Sequence, residues 1–262
     1  MSAPIVFLAR GGSGSRLLSV LGADAGIFLG NSVNVSGDAM EMVKPIYKSV
    51  MEKFQCAAPW QQALPTSELR HGARQMLEIA GFPARWGFKL PEAILLIPEI
   101  MAAFPSARFF HLIRDPATTC LRRTHLTARL DNHIGQITLP LAYRYHNLPV
   151  AQILEDSPAE HMAYTTRHQL ASALEVLAPL PPSRCLELRF EDMMDAPQEV
   201  NERFNRWLEP QANREISRDE SALERTIDTR RAREPSVRYS PEVEAKVLAI
   251  LADLRLRLGY LS

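Results

Sequence analysis

The chain has 262 residues, with 30 basic and 30 acidic side chains, and 46% of it is hydrophobic. That composition supports a buried core and argues against disorder. Zero formal charge excludes a generic nucleic-acid coat or a polybasic membrane binder, because both need a net positive field. The basic residues are five lysines against 25 arginines. Genome bias covers most of that excess, yet the guanidinium fork is also the donor suited to phosphate and sulfate. Three widely spaced cysteines, Cys56, Cys120 and Cys185, form no CxxC pair. They predict neither a zinc site nor a disulfide framework, no metal is expected, and a reducing, cytoplasmic setting is. No apolar run reaches the roughly 18 residues of a membrane span, and Met1–Ala9 is too short and uncharged for a signal peptide.

In chain order, Ile5–Ala9 is a short apolar run that stops at Arg10-Gly11-Gly12-Ser13-Gly14-Ser15-Arg16, and Leu17–Leu21 is apolar again. This reads as strand, glycine-rich turn, helix. Residues 38–54 place Met40, Val43, Ile46, Tyr47, Val50 and Phe54 near a 3.6 period and predict a helix, as do residues 66–80. Arg85–Leu90 predicts a second strand, followed by a helix from Pro91 to about Ala103 with a bend at Pro98. Arg108–Ile113 is a third strand, and Asp115-Pro116 supplies a cap and first residue for the next helix. Ser157-Pro158-Ala159-Glu160 is a capping box for a helix to about Ala178. Cys185–Phe190 is a fourth strand, with a helix around 197–208. Residues 210–239 are polar and Arg-rich and read as a surface loop or lid. Ser240-Pro241-Glu242 caps a final amphipathic helix to Leu258, ending at Gly259.

Strands alternating with helices predict an α/β fold, a central parallel sheet flanked by helices in three layers. Such sheets bind ligands at the C-terminal ends of their strands. Two corners fall there. At residues 10–16, glycines let the backbone wrap closely and present N–H groups at a helix N-terminus, an anion site. Ser13 and Ser15 add hydroxyls, and Arg10 and Arg16 add charge. The nucleotide-triphosphatase loop needs a lysine after its last glycine. Here Ser15 follows Gly14, which disfavours a standard ATPase or kinase; a plain tight turn is the other reading of this segment. At the second corner Arg114 leaves the third strand, with Arg122 eight residues on.

Taken in order, these segments resemble the sulfotransferases that use 3′-phosphoadenosine-5′-phosphosulfate (PAPS). Gly12-Ser13-Gly14-Ser15-Arg16-Leu17-Leu18 looks like that family's xSGTxxL loop, and Lys89-Leu90-Pro91 like its K-x-P strand end. Phe104-Pro105-Ser106-Ala107-Arg108-Phe109-Phe110-His111-Leu112-Ile113-Arg114-Asp115-Pro116 is similar to FPxAxFIxLxRDP. Leu188-Arg189-Phe190-Glu191-Asp192-Met193 is similar to LRYEDL, and Tyr239–Glu242 through Tyr260 looks like the ending of bacterial members. The resemblance implies a single sulfotransferase domain over residues 1–262, with the P-loop NTPase-like sulfotransferase fold.

It implies further that the Gly11, Gly12, Ser13, Gly14 and Ser15 loop binds the 5′-phosphate and that Arg114 and Arg122 hold the 3′-phosphate. Phe190 would lie near the adenine, and Arg10, Arg16 and Lys89 would face the sulfuryl and bridging oxygens. The product would be adenosine 3′,5′-bisphosphate, and the acceptor a hydroxyl or amine of a small molecule or carbohydrate. No nucleic-acid partner is implied, and a homodimer is left open. Two positions depart from the motif: Gly12 stands where many members carry a cation, and Arg122 where many carry Ser. Family members use His or a carboxylate as general base; Asp38, Glu41, His71 and Glu92 are the candidates here, Glu92 also reading as a first-turn helix charge. His111 reads as a core histidine; His125 and His133 follow the Arg122 helix and could touch substrate, though lone histidines usually do not. Arg230-Arg231-Ala232-Arg233 reads as a solvated face or a lid over the 3′-phosphate. Two further readings stay open, a non-catalytic nucleotide-binding protein of the same fold and a kinase with a degenerate loop.

Overall fold

The computed structural model describes residues 2–55, 66–209, 222–227 and 238–261. The Arg230–Arg233 run and most of the 210–239 segment lie outside the described residues. Four strands, β1 (Ile5–Ala9), β2 (Gly87–Lys89), β3 (Arg108–Ile113) and β4 (Cys185–Arg189), form one parallel sheet in the order β2-β1-β3-β4. The helices are α1 (Arg16–Asp24), α2 (Met40–Gln55), α3 (Thr66–Ile79), α4 (Ile97–Ala103), α5 (Pro116–Arg122), α6 (His133–Tyr145), α7 (Pro158–Leu177), α8 (Phe190–Asp195), α9 (Pro197–Leu208), α10 (Ala222–Thr226) and α11 (Pro241–Arg257). Short 3₁₀ turns cover Pro91–Leu96, Leu126–Ala128 and Val150–Leu154.

Strand alternation sorts the core into two layers. Val6 and Leu8 of β1, Phe88 of β2 and Phe109 of β3 face a core built with α2, α3, α4, α6, α7 and α11. Ile5, Phe7, Ala9, Phe110, Leu112, Leu186 and Leu188 face the opposite side, against Leu18, Leu21, Met193, Val200 and Phe204. Because successive side chains point to opposite faces, a strand buried on both reads as a continuous apolar run, which is what β1 is; β3 departs from it at Arg108 and the buried His111. The Phe110 ring anchors the second layer, 4.7 Å from Phe204 and 5.8 Å from Phe7.

Local chemistry sets the boundaries. Asp115 accepts the Ala117 N–H and caps α5 with Pro116 at its first position. Ser157 and Glu160 close the capping box of α7, and the Ser240 hydroxyl accepts the Val243 N–H to start α11. The helix expected from Pro91 to Ala103 is instead two pieces, a 3₁₀ turn and then α4, because Pro98 cannot donate to the preceding turn. α6 occupies a stretch for which the sequence predicts no element; it carries Pro140 inside it, and Asn132 caps it through the Ile134 and Gly135 N–H groups. Among the described residues no helix is long and apolar enough to cross a membrane.

Candidate functional site

The strand register brings Arg10, Lys89, Arg114 and Phe190 to the C-terminal ends of β1, β2, β3 and β4 respectively. Between β1 and α1 the chain turns on the Arg10 carbonyl, which accepts both the Ser13 N–H (3.0 Å) and the Ser13 hydroxyl. Gly12 and Gly14 both sit at φ 94°, a conformation L side chains avoid. Ser15 then opens α1, and its hydroxyl makes no capping bond. The first-turn N–H groups of a helix have no intrahelical partner, so this turn presents donors and the positive end of the helix dipole together. Arg16 is exposed at the start of α1.

Arg10 lies beneath the loop rather than across from it. Its guanidinium is 2% exposed and donates to Thr127 Oγ1 (3.0 Å), Thr165 Oγ1 (3.0 Å), Thr166 Oγ1 (3.2 Å) and Met162 Sδ (3.3 Å). All four partners are neutral. Burial lowers its pKa to about 10, which leaves it charged at neutral pH. Under the glycine loop there is therefore a buried positive charge whose hydrogen-bond partners include no carboxylate.

His125 sits on the other side of that loop. A side chain built on Gly11 would overlap the His125 ring, so the two are in direct contact. His125 Nδ1 lies 2.8 Å from Thr127 Oγ1 and accepts the Thr127 N–H at 3.3 Å. Burial, and then the charges of Arg10, Arg123 and Lys89, hold its pKa down at about 3.

On the β2 side, Lys89 is 1% exposed; its Nζ donates to the Ser36 carbonyl (2.6 Å) and pairs with Asp38. Burial lowers its pKa and Asp38 works against that shift. The Asp38 loop is tied to α1 by the Ser19 hydroxyl, which donates to the Gly37 carbonyl (2.7 Å). Beside this pair, Tyr47 donates to Glu92 Oε1 (3.2 Å), and Glu92 Oε2 is buried with no hydrogen bond among the described residues. Burial raises the Glu92 pKa, and Asp38 and Arg10 both act on it electrostatically. Glu92 is thus a buried carboxyl of the site, not an exposed first-turn charge. Glu41 is committed elsewhere: its Oε1 accepts the N–H groups of Asn31 (2.8 Å) and Ser32 (2.9 Å). His71 is exposed on α3 near Glu68, which pairs with Lys48.

On the β3 and β4 side, Arg114 Cζ lies over the Phe190 ring, 4.2 Å from its centroid. The same ring packs on Gly14, where any side chain would overlap it. Phe190 therefore links the loop to Arg114. Burial lowers the Arg114 pKa, and the nearby Arg122 charge lowers it further, so two like charges converge here. The Glu191 and Asp115 charges work against that lowering; Asp115 Oδ1 also accepts from Arg255 Nε (2.9 Å), and its N–H donates to Glu191 (3.1 Å). Tyr260 donates to the other Glu191 oxygen (2.8 Å), which ties the C-terminal residues to the ends of β3 and β4. His111 is fully buried in β3 with Nδ1 3.2 Å from Glu187, remote in role from this cluster.

The sequence motifs lead to Arg10, Lys89, Arg114 and Phe190. They do not lead to His125, Thr127 or Tyr47, whose places depend on the chain doubling back over the loop and on α2 packing against the Pro91–Leu96 turn. Among the described residues no group of three His, Cys, Asp or Glu side chains is placed to hold a metal ion.

A three-layer α/β fold with a glycine loop at a central strand end and buried cations around it is an arrangement able to hold an anion. The sequence model described as "Sulfotransferase family" matches residues 4–211. The chain belongs to the sulfotransferase family, and family and fold together support a sulfotransferase activity. No curated protein sequence matches the chain. Among solved structures it is similar to the sulfotransferase domain from the curacin biosynthetic pathway, at 18% identity and TM-score 0.55, over 97% of this chain and 98% of that one. It is similar to a sulfotransferase from Alicyclobacillus acidocaldarius at 14% identity and TM-score 0.55, over 99% and 96%. Sulfotransferase STF9 from Mycobacterium avium aligns at 12% identity and TM-score 0.56, over 98% of this chain and 76% of that one. At these identities the likeness is one of fold.

Proposed function

We propose that this protein is a PAPS-dependent sulfotransferase acting on a hydroxyl or amine of a small-molecule or carbohydrate acceptor. The observation that carries the reading is that all four parallel strands deliver a motif residue to one glycine loop: Arg10, Lys89, Arg114 and Phe190. Gly11 and Gly14 pack against the His125 and Phe190 rings with no room for a side chain, and the turn they build, at the N-terminus of α1, suits a phosphate. The 11–15 backbone and the Ser15 hydroxyl would hold the 5′-phosphate. Arg114 and Arg122 would take the 3′-phosphate, with Phe190 beside the adenine. PAPS, when bound, supplies the sulfuryl group on its 5′-phosphate.

The protein's part is positioning and electrostatic stabilisation. Lys89, kept at the site by Asp38 and the Ser36 carbonyl, would meet the bridging oxygen, with Arg16 at the outer edge. Arg10 lends its charge from beneath. With PAPS bound, the chain would also have to supply a base for the proton released as the acceptor's oxygen or nitrogen takes the sulfuryl group. Glu92 suits that task, because burial raises its basicity and Tyr47 orients it.

Calorimetric titration with adenosine 3′,5′-bisphosphate tests the reading. Micromolar binding, lost in Arg114→Ala, is expected. A folded wild-type chain that binds no bisphosphate would overturn it.

A further inference from the structure

The motif position that commonly carries a cation is glycine here, and the charge that replaces it, Arg10, is turned away beneath the loop. Between Arg10 and the loop stands a chain of hydrogen bonds with a fixed direction. Arg10 Nη1 can only donate, so Thr127 Oγ1 is its acceptor at 3.0 Å. The Thr127 hydroxyl hydrogen must then point elsewhere, and His125 Nδ1 lies 2.8 Å away. The Thr127 N–H reaches the same nitrogen. With two donors aimed at it, Nδ1 is an acceptor and carries no proton, so the proton of the neutral ring is on Nε2. Nε2 makes no hydrogen bond among the described residues, and the ring rests on Gly11 of the loop.

We propose that His125 is a catalytic residue on the donor side, a neutral Nε2–H that hydrogen-bonds the sulfuryl oxygens in place of a loop cation. Thr127 is then a positioning residue that fixes the tautomer, and Arg10 polarises the chain by withdrawing electrons through the Thr127 oxygen. During transfer His125 keeps its proton: sulfur exchanges the phosphate oxygen for the acceptor oxygen, and the acceptor proton leaves to a carboxylate. The same tautomer excludes His125 as the general base. The charged groups acting on the ring are Arg10 after β1, Lys89 of β2 and Arg123 after α5. All are positive and oppose its protonation. This inference rests on the PAPS reading above.

Two measurements test it on the full chain. Imidazole ¹⁵N shifts of His125 should show a bare, hydrogen-bonded Nδ1 and a protonated Nε2, unchanged from pH 7.5 to 5 on the order of the pH range where ordinary histidine titrates. An Nδ1–H tautomer, or titration near the ordinary value, would overturn the proposal. Calorimetry then compares PAPS with the bisphosphate product, which lacks the sulfuryl group. His125→Ala should weaken PAPS by about 10- to 100-fold, the effect of one hydrogen bond to a charged group, and leave the bisphosphate within about threefold. His125→Gln, whose amide can donate from a similar place, should recover part of the loss, and Thr127→Val should lose about tenfold for PAPS alone. Equal PAPS affinity in wild type and either folded His125 variant would overturn the proposal while the bisphosphate titration upholds the PAPS reading. Loss of both ligands equally would assign His125 a structural role and overturn it too. Absence of bisphosphate binding in wild type would overturn the parent reading first.

Discussion

Two buried arginines leave adjacent strands of one sheet, and they are held in opposite ways. Arg10 donates to side chains of the 126–128 turn and α7, three hydroxyls and a thioether. Arg114 lies over Phe190, with Arg122 beside it. Donors engaged in this way stabilise the fold and act on a ligand through their field. A guanidinium stacked on a ring that packs against the loop, beside a second arginine, instead concentrates positive charge at the candidate site. The comparison teaches that burial alone does not identify a ligand-binding arginine; the charge and packing around it do.

The sharpest way to break this contrast is to remove each arginine in turn. Arg10→Ala strands three threonine hydroxyls around a new cavity, so unfolding free energy should fall by about 3–5 kcal/mol, read by chemical denaturation. Arg114→Ala should destabilise less than Arg10→Ala, by about 1–3 kcal/mol, and cost the bisphosphate at least about 100-fold in affinity, since a bidentate charged contact is lost. Arg114→Lys should not rescue it, because an ammonium neither stacks nor forks. If Arg10→Ala left the melting temperature unchanged, the contrast would collapse.

Glu92→Gln sharpens the β2 side. It should lower turnover strongly while raising thermal stability above neutral pH. The sign follows from linkage: a carboxyl whose folded pKa is raised penalises folding as pH climbs from its unfolded value to its folded one, and the penalty persists above that. Glutamine keeps the Tyr47 hydrogen bond without the charge. Loss of both activity and stability would instead make Glu92 structural.

Acid stability reports the opposite sign. His125, His146 and His168 all have lowered pKa values through burial, the first at about 3 and the second at about 4. Each is neutral when folded and takes a proton more readily when unfolded. Stability should therefore fall as pH drops below about 6.5, by at most about 1.4 kcal/mol per pH unit for each histidine. Urea melts from pH 7 to 5 check this, and His125→Gln should reduce the slope. The smallest effect belongs to Phe190→Leu, which removes the ring under Arg114 and should weaken the bisphosphate by severalfold, as expected for about 1 kcal/mol of cation–π contact.

Legibility in the sequence follows the range of the interactions. β3, the Asp115 cap, the α7 capping box and the glycine turn are set by neighbours within a few residues, and each stands where the pattern puts it. The fold class follows from the alternation of those elements. Lys89 and Arg114 are legible because strand ends in a parallel sheet converge. Arg10 is legible as a site residue but not in its orientation, which α7 decides from more than 150 residues away. Glu92 reads equally as a helix-start charge until α2 brings Tyr47 against it. His125 carries no local signal at all: its contacts are Gly11, more than a hundred residues earlier, and a threonine whose direction is dictated by Arg10.

Gly12 carries a consequence for how this loop can change. The space beside it is open, since a Cβ there would meet Thr119 Cγ2 at 3.6 Å and Met162 Cε at 3.7 Å, ordinary contact distances. The obstacle to a side chain is the backbone torsion at φ 94°, which costs an L residue about 1–2 kcal/mol. A residue with a Cβ placed there meets no overlap at that atom but strains the turn proposed to hold the phosphate. Charge can enter this site from its flanks, through Arg10, Lys89 or Arg16, without disturbing that turn. The route by which such a loop gains or loses a cation is thus governed by torsion rather than by room.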